Sequence, residues 1–271
     1  MDAGSMRPIA QWPHEERAGI DLLFTDIDDT LTLHGRLPAA AYAALERLTA
    51  AGILVVPVTG RPGGWCDQIA RLWPVAGVVG ENGAFWFRHD PATGRMQRRF
   101  LQDEATRAAN RARLASLGQR ILAAVPGTAL ASDQGYRESD LAIDFCEDVP
   151  ALPEEAVGRI VALFEAEGAT AKVSSIHVNG WFGDYDKVTM ARIFAREALG
   201  IELDAALGRA VFLGDSPNDG PMFAAFRHGV GVANLCRFAG RMPVLPPYVT
   251  DGEGGHGFAE AAEAILAARG A

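Results

Sequence analysis

Cysteine is scarce in this chain. Only Cys66, Cys146 and Cys236 occur, far apart and without a C-x-x-C pair. Neither a disulfide framework nor a cysteine zinc site is expected; reduced thiols in a cytoplasmic protein are. Positive charge is also short: 25 Lys and Arg stand against 34 Asp and Glu, a formal net charge of -9. Nucleic-acid binding needs a basic footprint, so no nucleic-acid partner is expected. No apolar run reaches the roughly 18 residues of a membrane span, and no basic stretch leads into an apolar one near Met1. Neither membrane association nor secretion is expected. The phosphate-cradling loop G-x-x-x-x-G-K-[ST] is missing, which removes a P-loop nucleotide site. Gly229-Val230-Gly231-Val232-Ala233-Asn234 falls short of G-x-G-x-x-G and reads as a strand with close backbone packing. Internal repeats and low-complexity tracts are absent too, and nothing in the sequence fixes an oligomeric state.

What remains is an ordinary globular composition, with 49% hydrophobic and 22% charged residues. One stretch runs against the acidic average. Arg88, Arg95, Arg98, Arg99, Arg107, Arg111, Arg113 and Arg120 face only Asp90, Asp103 and Glu104 within it. An arginine-rich, solvated helix face explains this better than an anion site does.

The chain is organised around Leu22-Leu23-Phe24-Thr25-Asp26-Ile27-Asp28-Asp29-Thr30. A short apolar run bounded by turn-formers reads as a buried strand of a parallel sheet. It empties into Asp26, Asp28 and Asp29, and carboxylates that close repel one another unless compensated. A divalent cation compensates them, and hard carboxylate oxygens suit Mg²⁺. Taken alone, Asp-Asp-Thr after a strand is also compatible with a turn and a helix N-cap. An EF-hand calcium loop is excluded, because Leu31 stands where its glycine is needed and Leu37 where its glutamate belongs.

Residues 1–19 are polar, contain Pro8 and Pro13, and are expected to form a flexible arm. From Ile20 the pattern is strand, helix, strand, helix, strand, with the second strand ending at Thr59-Gly60-Arg61-Pro62 and the third at Glu81-Asn82-Gly83-Ala84. That spacing predicts a parallel βαβ core. Beyond Ala84 the rhythm changes to hairpins and helices: strands at 85–87 and 96–101, a long helix over 104–125, a strand at 141–145, a helix over 153–168 and strands within 171–182. A separate α+β module is therefore expected at 87–183, inserted into a core made of 20–86 and 184–271. The core resumes with a helix led by Lys187 and a strand running into Gly214-Asp215-Ser216-Pro217-Asn218-Asp219. The fold class is α/β, a Rossmann-like parallel sheet with an inserted α+β domain.

Parallel strands deliver their C-terminal loops to one edge of the sheet. Asp26 and Asp28, Thr59, Lys187, and Asp215 with Asn218 and Asp219 should therefore converge. These motifs, in this order, resemble those of the haloacid dehalogenase-like (HAD) superfamily, and the inserted module looks like the C2B cap of its Cof-type and sugar-phosphatase branch. The resemblance covers about residues 22–266. Asp29 departs from it, since the family most often has Gly there.

Membership implies a Mg²⁺-dependent phosphatase acting on a small phosphorylated metabolite, most readily a sugar phosphate. Asp26 is then the nucleophile that becomes an aspartyl-phosphate, and Asp28 the general acid and base. Thr59, Gly60, Lys187 and Asn218 bind the phosphoryl group. The resemblance gives Mg²⁺ to the Asp26 side chain, the Asp28 backbone carbonyl and Asp215, with Asp219 in support. A phosphomannomutase-like isomerase and a non-catalytic phosphometabolite-binding protein are the alternatives. A true dehalogenase is disfavoured, because halide leaves without a proton. Cys66, His34 and His256 fit no nucleophile–base arrangement and read as structural. In the module, strand alternation puts Ser175, His177, Asn179 and Trp181 on one face and Ile176, Val178 and Phe182 on the other. The polar face is expected to lie open towards the catalytic loops as a platform for sugar hydroxyls.

Overall fold

A strand covered on both faces needs apolar side chains on both, and Leu22–Thr25 has them: all of its residues are buried. A computed structural model of the chain describes residues 6–174 and 176–271. In it this strand is central to a parallel sheet ordered Arg7–Pro8, Tyr248–Val249, His228–Gly231, Ala210–Gly214, Leu22–Thr25, Leu54–Pro57. Leu23 pairs with Val211 on one side and with Val55 on the other. The chain winds outward from Leu22–Thr25 in one direction and from Ala210–Gly214 in the other. The gap between these two neighbours is where strand order reverses, the place where open α/β sheets bind ligands.

Each face of the sheet has its own core. Leu23, Val55 and Val211 pack with Leu45, Leu48, Phe258 and Ile265. Leu22, Phe24, Val56 and Phe212 pack with Met190, Phe194 and Met222. The helix Ala39–Ala50 follows Pro38 and buries Ala41, Ala44, Leu45 and Leu48, a spacing that gives one apolar stripe. Among the described residues no helix is long and apolar enough to cross a membrane.

The inserted unit is an antiparallel sheet ordered Ala129–Leu130, Leu141–Asp144, His177–Trp181, Thr170–Val173. The helices Glu104–Ala124 and Glu154–Ala166 cover one of its faces, where Leu117, Ile121, Ile160 and Phe164 meet Ile143, Val178 and Phe182. The other face is turned to the C-terminal edge of the core sheet.

Two boundaries differ from expectation. Residues 7–18 are not a loose arm: Arg7–Pro8 pairs with Tyr248–Val249, and the side chain of Trp12 is buried and stacked on Tyr248. One buried indole supplies enough apolar area to hold a short polar segment in place. The inserted unit also does not begin at residue 87. Phe85–Asp90 and Arg95–Phe100 form a hairpin that pairs with Val78–Gly80, next to the core strand that ends at Val58. Phe85, Phe87 and Phe100 stack together there and keep the hairpin on the core. The arginines around it are mostly paired. Arg98 meets Asp67, and Arg107 meets Glu104 and Glu138 while lying 3.6 Å above the Phe100 ring.

Candidate active site

Asp26 is the first residue beyond its strand, and its N–H donates to the Leu213 carbonyl of the neighbouring strand at 2.9 Å. That bond fixes where the carboxylate emerges. Asp215 is the first residue past Ala210–Gly214, and Asp219 lies one turn later. The Asp219 carboxylate accepts from the Asp215 and Ser216 N–H groups at 3.1 and 3.4 Å, so it folds the loop as well as facing the cluster. Gly214 is required beneath it, since a Cβ there would stand 2.6 Å from an Asp219 oxygen.

Lys187 comes from the far side of the inserted unit. Asp186 caps its helix by accepting from the Thr189 N–H at 2.7 Å. Gly83, at φ +107, lets the core chain pass so close that a Cβ would lie 2.1 Å from the Asp186 carbonyl oxygen. The Lys187 ammonium then donates to Asp26 at 2.7 Å and to Asp219 at 2.9 Å. Burial works against its charge, but Asp219 and Asp26 outweigh it and raise the pKa.

Asp26, Asp215 and Asp219 each offer an oxygen within 4.8 Å of the others, and all three are buried. Burial, opposed by Lys187, pushes Asp26 up to about 7, and burial together with Asp219 and Asp26 pushes Asp215 up as well. Lys187 gives one positive charge to three carboxylates, so the set carries an excess of negative charge made of hard oxygen donors. That composition fits a divalent cation such as Mg²⁺. Thr30 Oγ1 and Asn234 Nδ2 orient the two Asp215 oxygens at 3.2 and 3.4 Å.

Asp28 lies apart from that group. Its carboxylate is gripped by Arg61: Nε reaches Oδ1 at 2.9 Å and Oδ2 at 3.0 Å, and a terminal nitrogen reaches Oδ1 at 2.8 Å. Arg61 also faces Asp133 and Glu147 of the inserted unit, both at 3.4 Å, and the Trp65 ring lies 4.4 Å from its guanidinium carbon. Arg137, nearly inaccessible, donates to the Gly60 carbonyl at 3.0 Å and pairs with Asp133 and Asp140. Glu81 adds a further tie, accepting from the N–H groups of Gly63, Glu138, Ser139 and Asp140. Core and inserted unit are thus sewn together by buried charge. Thr59 is fully buried beside this seam, and its Oγ1 accepts from the Arg61 N–H at 3.0 Å.

Asp26, Asp28, Gly60, Asn218, His177 and Asn179 line one shared cavity of about 20 Å³, room for about one water. Asn218 Oδ1 accepts from Ser216 Oγ at 2.6 Å.

The comparisons with known proteins agree with this geometry. Residues 23–111 match a model of the haloacid dehalogenase-like hydrolases. A structure from Thermoplasma acidophilum covers 91% of this chain and 98% of its own, at 18% identity and a TM-score of 0.69. A haloacid dehalogenase-like hydrolase from Bacteroides thetaiotaomicron covers 91% and 99%, at 16% identity and a TM-score of 0.64. The sucrose-phosphatase of Synechocystis sp., solved with sucrose and phosphate, covers 90% and 97%, at 16% identity and a TM-score of 0.61. No curated protein sequence matches the chain. Over nearly its whole length the chain has the haloacid dehalogenase-like fold, and its residues 23–111 match the family's model.

The inserted unit is placed as the cap of a haloacid dehalogenase-like fold. The cap face differs from the open platform expected. His177 and Asn179 do point at the catalytic loops, but both are buried and engaged: Asn179 Nδ2 donates to Asp140 at 3.0 Å, and His177 Nε2 lies 2.8 Å from Glu147. Trp181 is absent from the cavity; it is buried in the core cluster and stacks on Tyr185 at 5.6 Å. It sits at the end of the strand nearest the core junction, where an indole finds apolar partners. Ser175 lies outside the described residues.

Sequence reasoning named Thr59-Gly60-Arg61-Pro62 yet gave Arg61 no role, and it passed over Asn234, Glu147, Arg137 and Glu81. A guanidinium two residues after the threonine that ends a core strand is a usable signal for Arg61. The other four act across long sequence separations and leave no local pattern.

Proposed function

We propose that this chain is a phosphatase that hydrolyses the monoester of a small phosphorylated sugar, with Mg²⁺ as cofactor and an aspartyl-phosphate on Asp26 as intermediate. One observation carries the reading: Asp26 and the pair Asp215 and Asp219, from the ends of two neighbouring strands, converge with Lys187 from a helix N-terminus into one buried cluster. The fold likeness to a sucrose-phosphatase favours a sugar ester. The cap is read as the C2B type.

The Asp26 carboxylate attacks phosphorus; the Asp26–phosphorus bond forms as the ester oxygen leaves. Asp28 gives that oxygen its proton. Arg61 orients that carboxylate, reaching Oδ1 with two nitrogens and Oδ2 with one. Water then attacks the aspartyl-phosphate, giving its proton to Asp28 and releasing Asp26 and inorganic phosphate. Lys187, the Thr59 hydroxyl, Gly60 and Asn218 hold the phosphoryl oxygens. Mg²⁺ would be held by Asp26, the Asp28 carbonyl and Asp215, with Asp219 behind them, and would supply positive charge to the phosphoryl oxygens.

The test is phosphate release over a panel of sugar, polyol, nucleotide and aryl phosphates, with Mg²⁺ and with chelator. Release from hexose phosphates that needs Mg²⁺ and no bisphosphate activator is expected. A product that is an isomerised hexose phosphate, without free phosphate, would make the enzyme a mutase.

A further inference from the structure

The catalytic cavity, at about 20 Å³, has no room for a leaving group. Proton transfer requires hydrogen-bond contact, so the leaving oxygen must lie against Asp28 and the rest of the leaving group beyond it. Two larger cavities adjoin. One, of about 420 Å³, meets the catalytic cavity at Ser174 and Ser216 and is walled mainly by Phe145, Leu152, Val157 and Phe238, away from Asp28. The other, of about 250 Å³, shares Asp28, Arg61 and Ile176 with the catalytic cavity, and Asp29, Thr32, His34, Gly35 and Glu147 complete its wall. Only the second continues from the general acid.

Two residues of that second wall have backbone conformations that favour glycine. Asp29 has φ +55 and His34 has φ +51. Asp enters the left-handed region more readily than most residues because its carboxylate can bond the local backbone, here that of His34, and the turn sets both side chains on the groove wall. Asp29 and Glu147 are acceptors on the wall; Arg61 and the His34 imidazole bring donors. Arg61 is the positive charge, and its guanidinium is already forked on Asp28. Carboxylates outnumber it, so a second anionic group on the leaving portion would be repelled. An ammonium would satisfy the acceptors but not the donors, whereas a hydroxyl both donates and accepts.

Resting on the phosphatase reading above, we infer that the groove between Asp28, Asp29, His34 and Glu147 is the leaving-group subsite, and that it selects a neutral polyhydroxylated alcohol over acidic or amine-bearing ones. Asp29 and His34, provided by the loop that follows the nucleophile, are then specificity-determining residues beyond the cap strand.

The positive φ values supply a clean test. Asp29→Gly and His34→Gly delete the side chain while relieving the backbone, so both variants should fold. With Mg²⁺, the unmutated protein should prefer glucose 6-phosphate to 3-phosphoglycerate and phosphoethanolamine. Each glycine variant should lower kcat/KM for glucose 6-phosphate relative to p-nitrophenyl phosphate by about tenfold, as loss of a hydrogen bond to a charged or polar group implies. An unchanged ratio overturns the inference. So does an equal fall on both substrates, which would give these residues a structural or metal-supporting role, and so does a preference for apolar esters, which would move the leaving group to the larger cavity. If no ester is split, the phosphatase reading fails and the groove is judged by calorimetry alone. About tenfold weaker binding of glucose 6-phosphate plus Mg²⁺ to the Asp29→Gly variant sustains it; equal binding, or none to the unmutated protein, overturns it.

Discussion

Two clusters of buried charge lie side by side in this molecule, and they are balanced differently. Around Lys187, a single ammonium serves Asp26 and Asp219 directly while Asp215 has no cation of its own in contact. Along the cap seam two guanidiniums, Arg61 and Arg137, reach four carboxylates: Asp28 at 2.8 Å, Asp133 and Asp140 at 3.0 Å and Glu147 at 3.4 Å. The difference teaches what each is for. A cluster left short of positive charge is stabilised further by a cation and a transferring phosphoryl group. Where each carboxylate already touches a guanidinium, the pairs hold two parts of the fold in register. Burial raises carboxylate pKa values in both clusters, Asp26 and Asp215 in the first and Glu81 and Asp140 in the second, whereas Glu147, at the seam's half-exposed edge, is held down to about 2 by His177 and Arg61.

The comparison breaks most severely at Asp26, the proposed nucleophile. Asp26→Asn keeps the shape and removes the attacking charge, so phosphate release should fall by about 10³-fold or more while the circular-dichroism spectrum stays unchanged. Turnover within tenfold of the unmutated protein would remove Asp26 from that role. The seam should break in stability instead. Arg137→Met leaves Asp140 buried beside an apolar chain, and a cost of about 3–5 kcal/mol is expected by denaturant titration. A loss below about 1 kcal/mol would mean that the seam is not what fixes the cap.

A pH experiment sharpens the contrast. Asp26 folded has a pKa of about 7, above its unfolded value, so the folded protein holds a proton that the unfolded chain releases. Metal-free stability contributed by this group is therefore lost as pH rises from about 4 towards 7. Mg²⁺ competes with that proton, so its affinity should rise by about tenfold between pH 6 and pH 8. Calorimetric titration at the two values decides this, and a flat affinity would place the ion elsewhere. The smallest effect is expected at the cap strand. His177→Ala or Asn179→Ala removes one polar contact behind the groove, to Glu147 or to Asp140, and should cost about 0.5–1.5 kcal/mol in kcat/KM for a hexose phosphate. An equal loss on p-nitrophenyl phosphate would mark a closure defect rather than substrate reading.

Much of the fold and part of the site were legible in the one-dimensional pattern. Buried parallel strands are written as short apolar runs, and each run stops at the residues that meet at the sheet edge. Asp26, Thr59 and Asp215 could therefore be grouped before any coordinate was known. Trp12 and the Phe85–Phe100 hairpin were not legible, because a polar stretch carrying one indole looks like an arm and a hairpin next to an insertion looks like part of it. Where such segments dock depends on apolar partners, Tyr248 and the core strand Val78–Gly80, that lie far away in sequence.

The sequence by itself determined the layers, the strand ends and the residue types at the chemical centre, since alternation, turn chemistry and burial are local properties of the chain. Only the tertiary structure decided that Asp28 faces Arg61 rather than the Asp26, Asp215 and Asp219 cluster, and that Trp181 packs into the core instead of lining the cavity. It also decided that Asp29 and His34 share a groove with Glu147 of the cap. Charge pairing and side-chain destination depend on which distant segments the closed fold brings within a few ångströms, and no local pattern encodes that.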